Sequence, residues 1–449
     1  MQKGFTWVLA ERTRMLRYEQ LPEDVREITR QCVLDWLAVA IAGSRSHLAD
    51  LLVAQARAEG GHPIATLVGR QPRAAPLQVA LVNGAASHVL DYDDVNTVMH
   101  GHPSAPILPA LLALGQQRRS SGRELITSFV AGYEFACRVG QALSAGHYDR
   151  GFHATGTVGA LGAAAACAHL LGLNLERTAH AIGAAATQAA GLRAMFGTEC
   201  KPLHAGLAAQ NGLRAAQLAA AGILARVDAL ECRVGFGAAM APAFNADAGL
   251  VEPERFHLRD NLFKYHASCY ATHPPIECVR RLREEHSLRH EDVERVIVRG
   301  ERAQDTVCNI AEPRTALEMK FSLRFMTAAA LTGADTAALE FFTDERAADP
   351  LLCSLRDKVC VELTDDWPMV KSEVVIETRD GRVLSAVHDS ALPDRDIDRQ
   401  GTRLAAKFER LVVPVLGVRR CGSMLERLRG LEHGTVDELM EEAAHAAGD

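Results

Sequence analysis

Residues 154–172 read ATGTVGALGAAAACAHLLG, a run without a single Asp, Glu, Lys or Arg. An uncharged stretch of this length is either a membrane span or the buried central helix of a globular protein. Its composition decides between them. Ala and Gly dominate, both are weakly hydrophobic, and His169 interrupts the run. Small side chains let neighbouring helices approach closely, so the reading is a central bundle helix over Thr157–Leu171. Two similar Ala-rich segments follow, at Leu175–Ala190 and Pro202–Ala225. More charged helices are expected around them. Pro22-Glu23-Asp24 opens one that runs through VREITRQCVLDWLAVAIAG to Gly43, with Pro and acids at its start and Gly at its end. A short helix is expected at Ala110–Leu114 after Pro109, and an amphipathic one at Glu124–Leu143.

The texture changes after about residue 290. VERVIVR (Val293–Arg299) and KVCVELT (Lys358–Thr364) are strand candidates. SEVVIET and RVLSAVH flank Arg379-Asp380-Gly381, and Asp-Gly between β-rich runs signals a hairpin. A helix is expected at Ala316–Leu331. The last 50 residues return to helix, in TRLAAKFERLV and SMLERLRGL. The fold class is mainly α. An all-α domain over 1–265, completed by about 398–449, is joined by a smaller α+β domain over 266–397.

The bulk numbers agree with a globular protein. A chain of 449 residues exceeds one ordinary core. Hydrophobic residues make up 48% and charged residues 23%, which excludes a disordered chain. A net charge of -7 argues against nucleic acid as a partner, because phosphate binding needs a basic surface. It leaves room for a small anion held by a few local cations. The 11 cysteines form no CxxC pair and no zinc-finger or iron–sulfur spacing. Their odd number, with charges in the opening MQKGFTWVLAERTRM where a secretory segment is apolar, points to reduced thiols in the cytoplasm.

Four stretches concentrate His, Asp and Lys among Gly and Pro. LDYDDVNTVMHGHPSAP holds Asp91, Asp93, Asp94, His100 and His102. Spacing alone also allows a solvated loop with Asp caps. In GHYDRGFHATGTVG, His153 stands just before the uncharged helix, where free N–H groups and the dipole favour anions. In FGTECKPLHAG, Lys201 and His204 precede an apolar helix, so Lys201 suits a carboxylate clamp or an acid–base group of lowered pKa. Neighbouring Cys200 has no paired imidazole in sequence to make it a nucleophile. KYHASCYATHPPIE carries His266, Cys269 and His273, whose spacing fits no metal motif.

In this order, LDYDD…GHPSAP, GFHATGTVGALGAAAA, GTECKPLHAG and YATHPP resemble the MmgE/PrpD family across nearly the whole chain, including RTALEMKFSLRF at Arg314–Phe325. The family includes 2-methylcitrate dehydratase, cis-aconitate decarboxylase and iminodisuccinate epimerase. The resemblance implies a large all-α domain built from both chain ends, an inserted α+β lid, a homodimer, and a cleft site with no metal or cofactor. Carried over by motif, the catalytic set is Asp91, His102, His153, Lys201 and His273. Thr97, His204, Lys320 and Ser322 are the expected substrate contacts. Dehydratase and decarboxylase members usually have a hydroxyl residue after the DD pair, where this chain has Val95.

The expected function is a metal-independent lyase that moves a proton next to a carboxylate of a small polycarboxylic acid, with no nucleic-acid or membrane partner. His102 and His153 both remain candidates for the base. An epimerase of an imino- or amino-dicarboxylate is the second reading. A non-catalytic family member that binds a small acid is the third.

Overall fold

The computed structural model describes residues 4–71, 73–368 and 370–444. The opening MQK and the tail beyond 444, both within the expected domain limits, lie outside the described residues. The chain divides into two compact units. One comprises Met1–Phe263 with Asp394–Asp449, and the other is Lys264–Pro393.

The first unit is helical. Its principal helices before residue 222 are α1 (Phe5–Met15), α2 (Glu23–Gly43), α3 (His47–Glu59), α4 (Pro76–His88), α5 (Ser104–Arg118), α6 (Gly122–Asp149), α7 (Ala154–Leu170), α8 (Leu175–Ala186) and α9 (Cys200–Ala221). α7 is the uncharged run, and all its residues except His169 are buried. Glycines let its neighbours in. A Cβ on Gly132 of α6 would sit 2.5 Å from Ala166 of α7, and one on Gly212 of α9 would sit 2.5 Å from Ala163. Both distances are too short for a real side chain, so α6 and α9 clasp α7 at backbone contact. A long C-terminal helix, Ile397–Arg429, packs along α2 and returns the chain end to this unit.

Several boundaries differ from the sequence reading for identifiable reasons. α5 begins at Ser104, not Ala110, and carries Pro109 inside it. The hydrogen bond that Pro109 cannot donate is offset by burial of every residue from Ser104 to Gln116. α6 continues past Leu143 across a break at Ser144 (φ 52°). α8 stops at Ala186, short of Ala190. α9 stops at Ala221 because Gly222 adopts a left-handed cap (φ 103°). The expected helix Ala316–Leu331 is two helices, Ala316–Met319 and Leu323–Thr332. Ser322 leaves helical geometry between them, and its Oγ caps the second by accepting the N–H of Phe325.

The second unit is α+β. Strands β1 (Val293–Glu301), β2 (Val359–Thr364), β3 (Lys371–Thr378) and β4 (Val383–Asp389) form one sheet in the order β2-β1-β3-β4. β1 and β2 run parallel, while β1–β3 and β3–β4 are antiparallel. The β3–β4 hairpin turns at Gly381 (φ 87°), as Asp-Gly implied. Alternate burial along β3 gives the sheet one inner face, against which helix His273–His286 packs. Among the described residues, no single helix is long and apolar enough to cross a membrane.

Candidate active site

Three of the four motif stretches converge in the first unit, at the end of α4 and the starts of α5, α7 and α9. α4 ends on His88, and the chain turns at once, with the Asp91 N–H donating to the His88 carbonyl. Asp91 takes a left-handed backbone (φ 52°), a conformation a non-glycine residue keeps only when its surroundings hold it. The following loop closes on itself. Asn96 and Gly101 bridge, and Asn96 Oδ1 accepts from Val98 and Met99 N–H. Gly101 lies so close to α7 that a Cβ would stand 3.0 Å from the Thr155 nitrogen. The adjacent His102 N–H donates to Thr155 Oγ1 at 3.1 Å. Glycine at 101 therefore lets the loop deliver His102 to the head of α7.

A cluster of imidazoles and carboxylates results. Asp93 is central. Its carboxylate accepts from His88 Nδ1 at 2.9 Å and lies 3.1 Å from His102 Nδ1, off-line for a hydrogen bond. The His88 ring stands edge to His102 at 4.6 Å and stacks on His153 at 5.6 Å. His153, the residue before α7, places its Nδ1 3.1 Å from His204 Nδ1, so one of the pair donates and the other accepts. Lys201, in the first turn of α9, donates to Asp91 Oδ1 at 2.8 Å, with its ammonium 5.3 Å from the Phe196 ring centre. Lys201 is 8% exposed and His153 2%.

Burial sets the protonation states. It holds His153 neutral, well below the usual imidazole range, and nearby His88 and Lys201 push the same way. His88 is lowered to about 4 by burial, against the pull of Asp93. Burial would raise Asp93, but its imidazole partners outweigh this and keep it ionised. Asp94 behaves oppositely. Burial raises its carboxyl to about 7, with Asp35 and Asp93 adding to the shift and the Ser104 hydroxyl, its hydrogen-bond donor, opposing it.

The turn is held from the far side as well. Lys407, on the C-terminal helix, donates to Asp35 Oδ1 of α2 at 2.6 Å and to the Tyr92 carbonyl at 2.7 Å, with its ammonium 3.9 Å from the Tyr92 ring centre. All three residues are buried.

Of the expected catalytic residues, Asp91, His102, His153 and Lys201 are gathered here, and His204 joins them. Thr97 is exposed on the loop. His273, Lys320 and Ser322 belong to the second unit. His273 is buried, with His266 and Tyr270 rings 4.9 and 5.0 Å away. Lys320 lies 4.9 Å from the Phe342 ring centre. The Ser322 hydroxyl is committed to its helix cap and to the Ile310 carbonyl, which counts against its expected role as a substrate contact. Cys200 is exposed. Sequence reasoning missed His88, although it lies three residues before Asp91 at the end of a helical pattern. It also missed Asp35 and Lys407, which carry no local signal.

The family model for the MmgE/PrpD N-terminal domain matches residues 8–248, and that for the MmgE/PrpD C-terminal domain matches 266–428. The chain belongs to the MmgE/PrpD family. Within it, the chain is 28% identical over 410 residues to cis-aconitate decarboxylase of Mus musculus, covering 87% of this chain and 83% of the mouse protein. It is 31% identical over 246 residues to the Homo sapiens protein of that name, covering 53% and 50%. It is 27% identical over 296 residues to the one from Aspergillus terreus, covering 63% and 60%. The stretch matched by the N-terminal MmgE/PrpD model contains every member of the imidazole cluster and Lys201, but not Lys407.

Proposed function

We propose that this MmgE/PrpD protein is a metal-independent lyase acting beside a carboxylate of a small polycarboxylic acid, of the cis-aconitate or 2-methylcitrate type. The observation that carries the reading is one buried ammonium, Lys201, held on Asp91 beside the buried, neutral imidazoles of His88 and His153. Decarboxylation leaves an electron pair that an acid must protonate at carbon. Dehydration removes a proton from carbon and expels a hydroxyl that must itself be protonated. Both push charge onto carboxylate oxygens, and a preorganised cation in a dry site stabilises that charge.

The residues divide this work. Lys201 meets the developing carboxylate charge, and Asp91 holds the ammonium in place until substrate arrives. His153, neutral at working pH, accepts the proton or passes one on through His204. Asp93 orients His88 and stabilises positive charge on it or on His102, as carboxylates do behind catalytic imidazoles. The names of the mouse, human and Aspergillus relatives support a lyase over an isomerase.

The test is proton NMR of metal-stripped protein in D2O with 2-methylcitrate, citrate, cis- and trans-aconitate and aspartate-derived dicarboxylates. A new alkene signal, or loss of CO2 with deuterium at carbon, supports the lyase. Solvent exchange of a CH with no new product makes the protein an epimerase. No reaction with any acid, from folded protein, overturns the reading.

A further inference from the structure

The cluster has the ligand set of a metal centre with a lysine in the metal's place. His88, Asp91 and His102 each present a ligand atom, and these atoms lie within 4.8 Å of one another. A tetrahedral zinc ion holds nitrogen and oxygen ligands about 2.0–2.2 Å away, which places them about 3.3 Å apart. Small side-chain rotations close that difference. Asp93 accepts from His88 Nδ1 at 2.9 Å and lies 3.1 Å from His102 Nδ1, off-line for a hydrogen bond. A carboxylate behind a histidine fixes its tautomer and leaves the other ring nitrogen to bind a metal. On His88 that nitrogen, Nε2, is buried and has no hydrogen-bond partner among the described residues, although the residue is only 1% exposed. Such a group is costly in a fold unless something else comes to meet it.

The donor set says what would come. The carboxylates of Asp91 and Asp93 are negative, and the Lys201 ammonium stands 2.8 Å from Asp91. Two imidazoles and one carboxylate select borderline ions such as Zn2+ or Co2+ over Mg2+ or Ca2+. Three protein ligands leave open coordination positions, where water or a substrate carboxylate binds.

We propose that His88, Asp91 and His102 form a latent site for a borderline divalent cation, which Lys201 keeps closed, and that such an ion inhibits the enzyme by taking Asp91 from the lysine. The inhibitory half rests on the proposed function of this cluster; the binding half does not. Lys201 then has two roles. It supplies charge for turnover, and it defends the site against metal. Its removal should abolish the first and release the second, so activity and metal affinity move in opposite directions in one variant.

The experiment is a Co2+ titration of the full chain without substrate, read by visible d–d absorbance, with thermal melts to confirm folding. Lys201→Met is expected to bind one Co2+ per chain at least about tenfold tighter than wild type, as follows from removing a nearby positive charge. His88→Gln and, separately, Asp91→Asn in the Lys201→Met background should each reverse that gain. Two variants guard against one failing to fold. Zn2+ should inhibit wild-type turnover. No Co2+ bands in folded wild type and folded Lys201→Met overturns the proposal. So does binding that both second-site changes leave unaltered, since the ion then sits elsewhere. If the acid panel shows no turnover while Co2+ follows the expected pattern, the functional reading falls and the cation site stands.

Discussion

Two buried lysine–aspartate pairs grip opposite sides of one turn, and they are built for different ends. Lys201–Asp91 spans 2.8 Å with each side chain 10% exposed. Lys407–Asp35 spans 2.6 Å with side chains 4% and 1% exposed, and its ammonium also holds the Tyr92 carbonyl. Asp91 and Tyr92 are consecutive, so two cations share a dipeptide. The inner pair is sealed by backbone and ring, and nothing from solution can replace either partner. The outer pair stands beside the imidazoles of the candidate site, where the proposed lyase chemistry and the proposed cation site both need one member to exchange its partner. A buried ion pair is weak evidence for stability by itself, since desolvation opposes attraction. What separates function from scaffold here is whether the pair can be opened.

The largest expected break in that comparison lies in turnover. Lys201→Ala and His153→Ala should each lower kcat by about 10²–10⁴-fold, the range for losing an electrostatic or acid–base group, while melting within a few degrees of wild type. Retained activity in both would remove the site. The inner pair should answer in the reverse currency. Lys407→Met takes its ammonium partner from the buried Asp35 carboxylate, and should cost about 3–5 kcal/mol in a denaturant titration. The double variant Lys407→Met/Asp35→Leu should regain most of this, because a packed apolar pair replaces the ions. If the double variant melts like the single one, the pair is more than scaffold.

A smaller effect sharpens the contrast through pH. Asp94 keeps its proton to about pH 7 when folded, while an unfolded Asp loses it near pH 3.9. The unfolded state therefore releases a proton that the native state retains. This group's contribution to stability falls as pH rises from about 4 to about 7 and is flat above. Asp94→Asn removes the dependence. The variant should match wild type near pH 4 and exceed it above pH 7 by on the order of 2 kcal/mol, as read from melts across that range. A constant gap at all pH values would contradict a buried neutral carboxyl.

Sequence carried the helical class, the hairpin and most members of the candidate cluster, because each has a local signature. The uncharged run 154–172 announced α7, and Asp380-Gly381 announced its turn. His153 and Lys201 were legible because each precedes an apolar helix. Boundaries were lost where a tertiary cause overrode a local one, as when burial carried α5 through Pro109. Lys407 was invisible for a different reason. TRLAAKFERLV reads as an ordinary amphipathic helix, and nothing nearby in the chain shows that one lysine points into a buried carboxylate 372 positions earlier.

That separation also orders events during synthesis. Asp91, His102, His153, Lys201 and their helices have all been made before residue 222, yet the ammonium that neutralises Asp35 and ties down Tyr92 is made nearly 200 residues later. Until then a ribosome-bound chain lacks the Lys407 ammonium that anchors this left-handed turn. The half that carries the candidate site is thus written early and fastened late, and a nascent or truncated chain that stops short of residue 407 should hold its imidazoles and Lys201 without the geometry that gathers them.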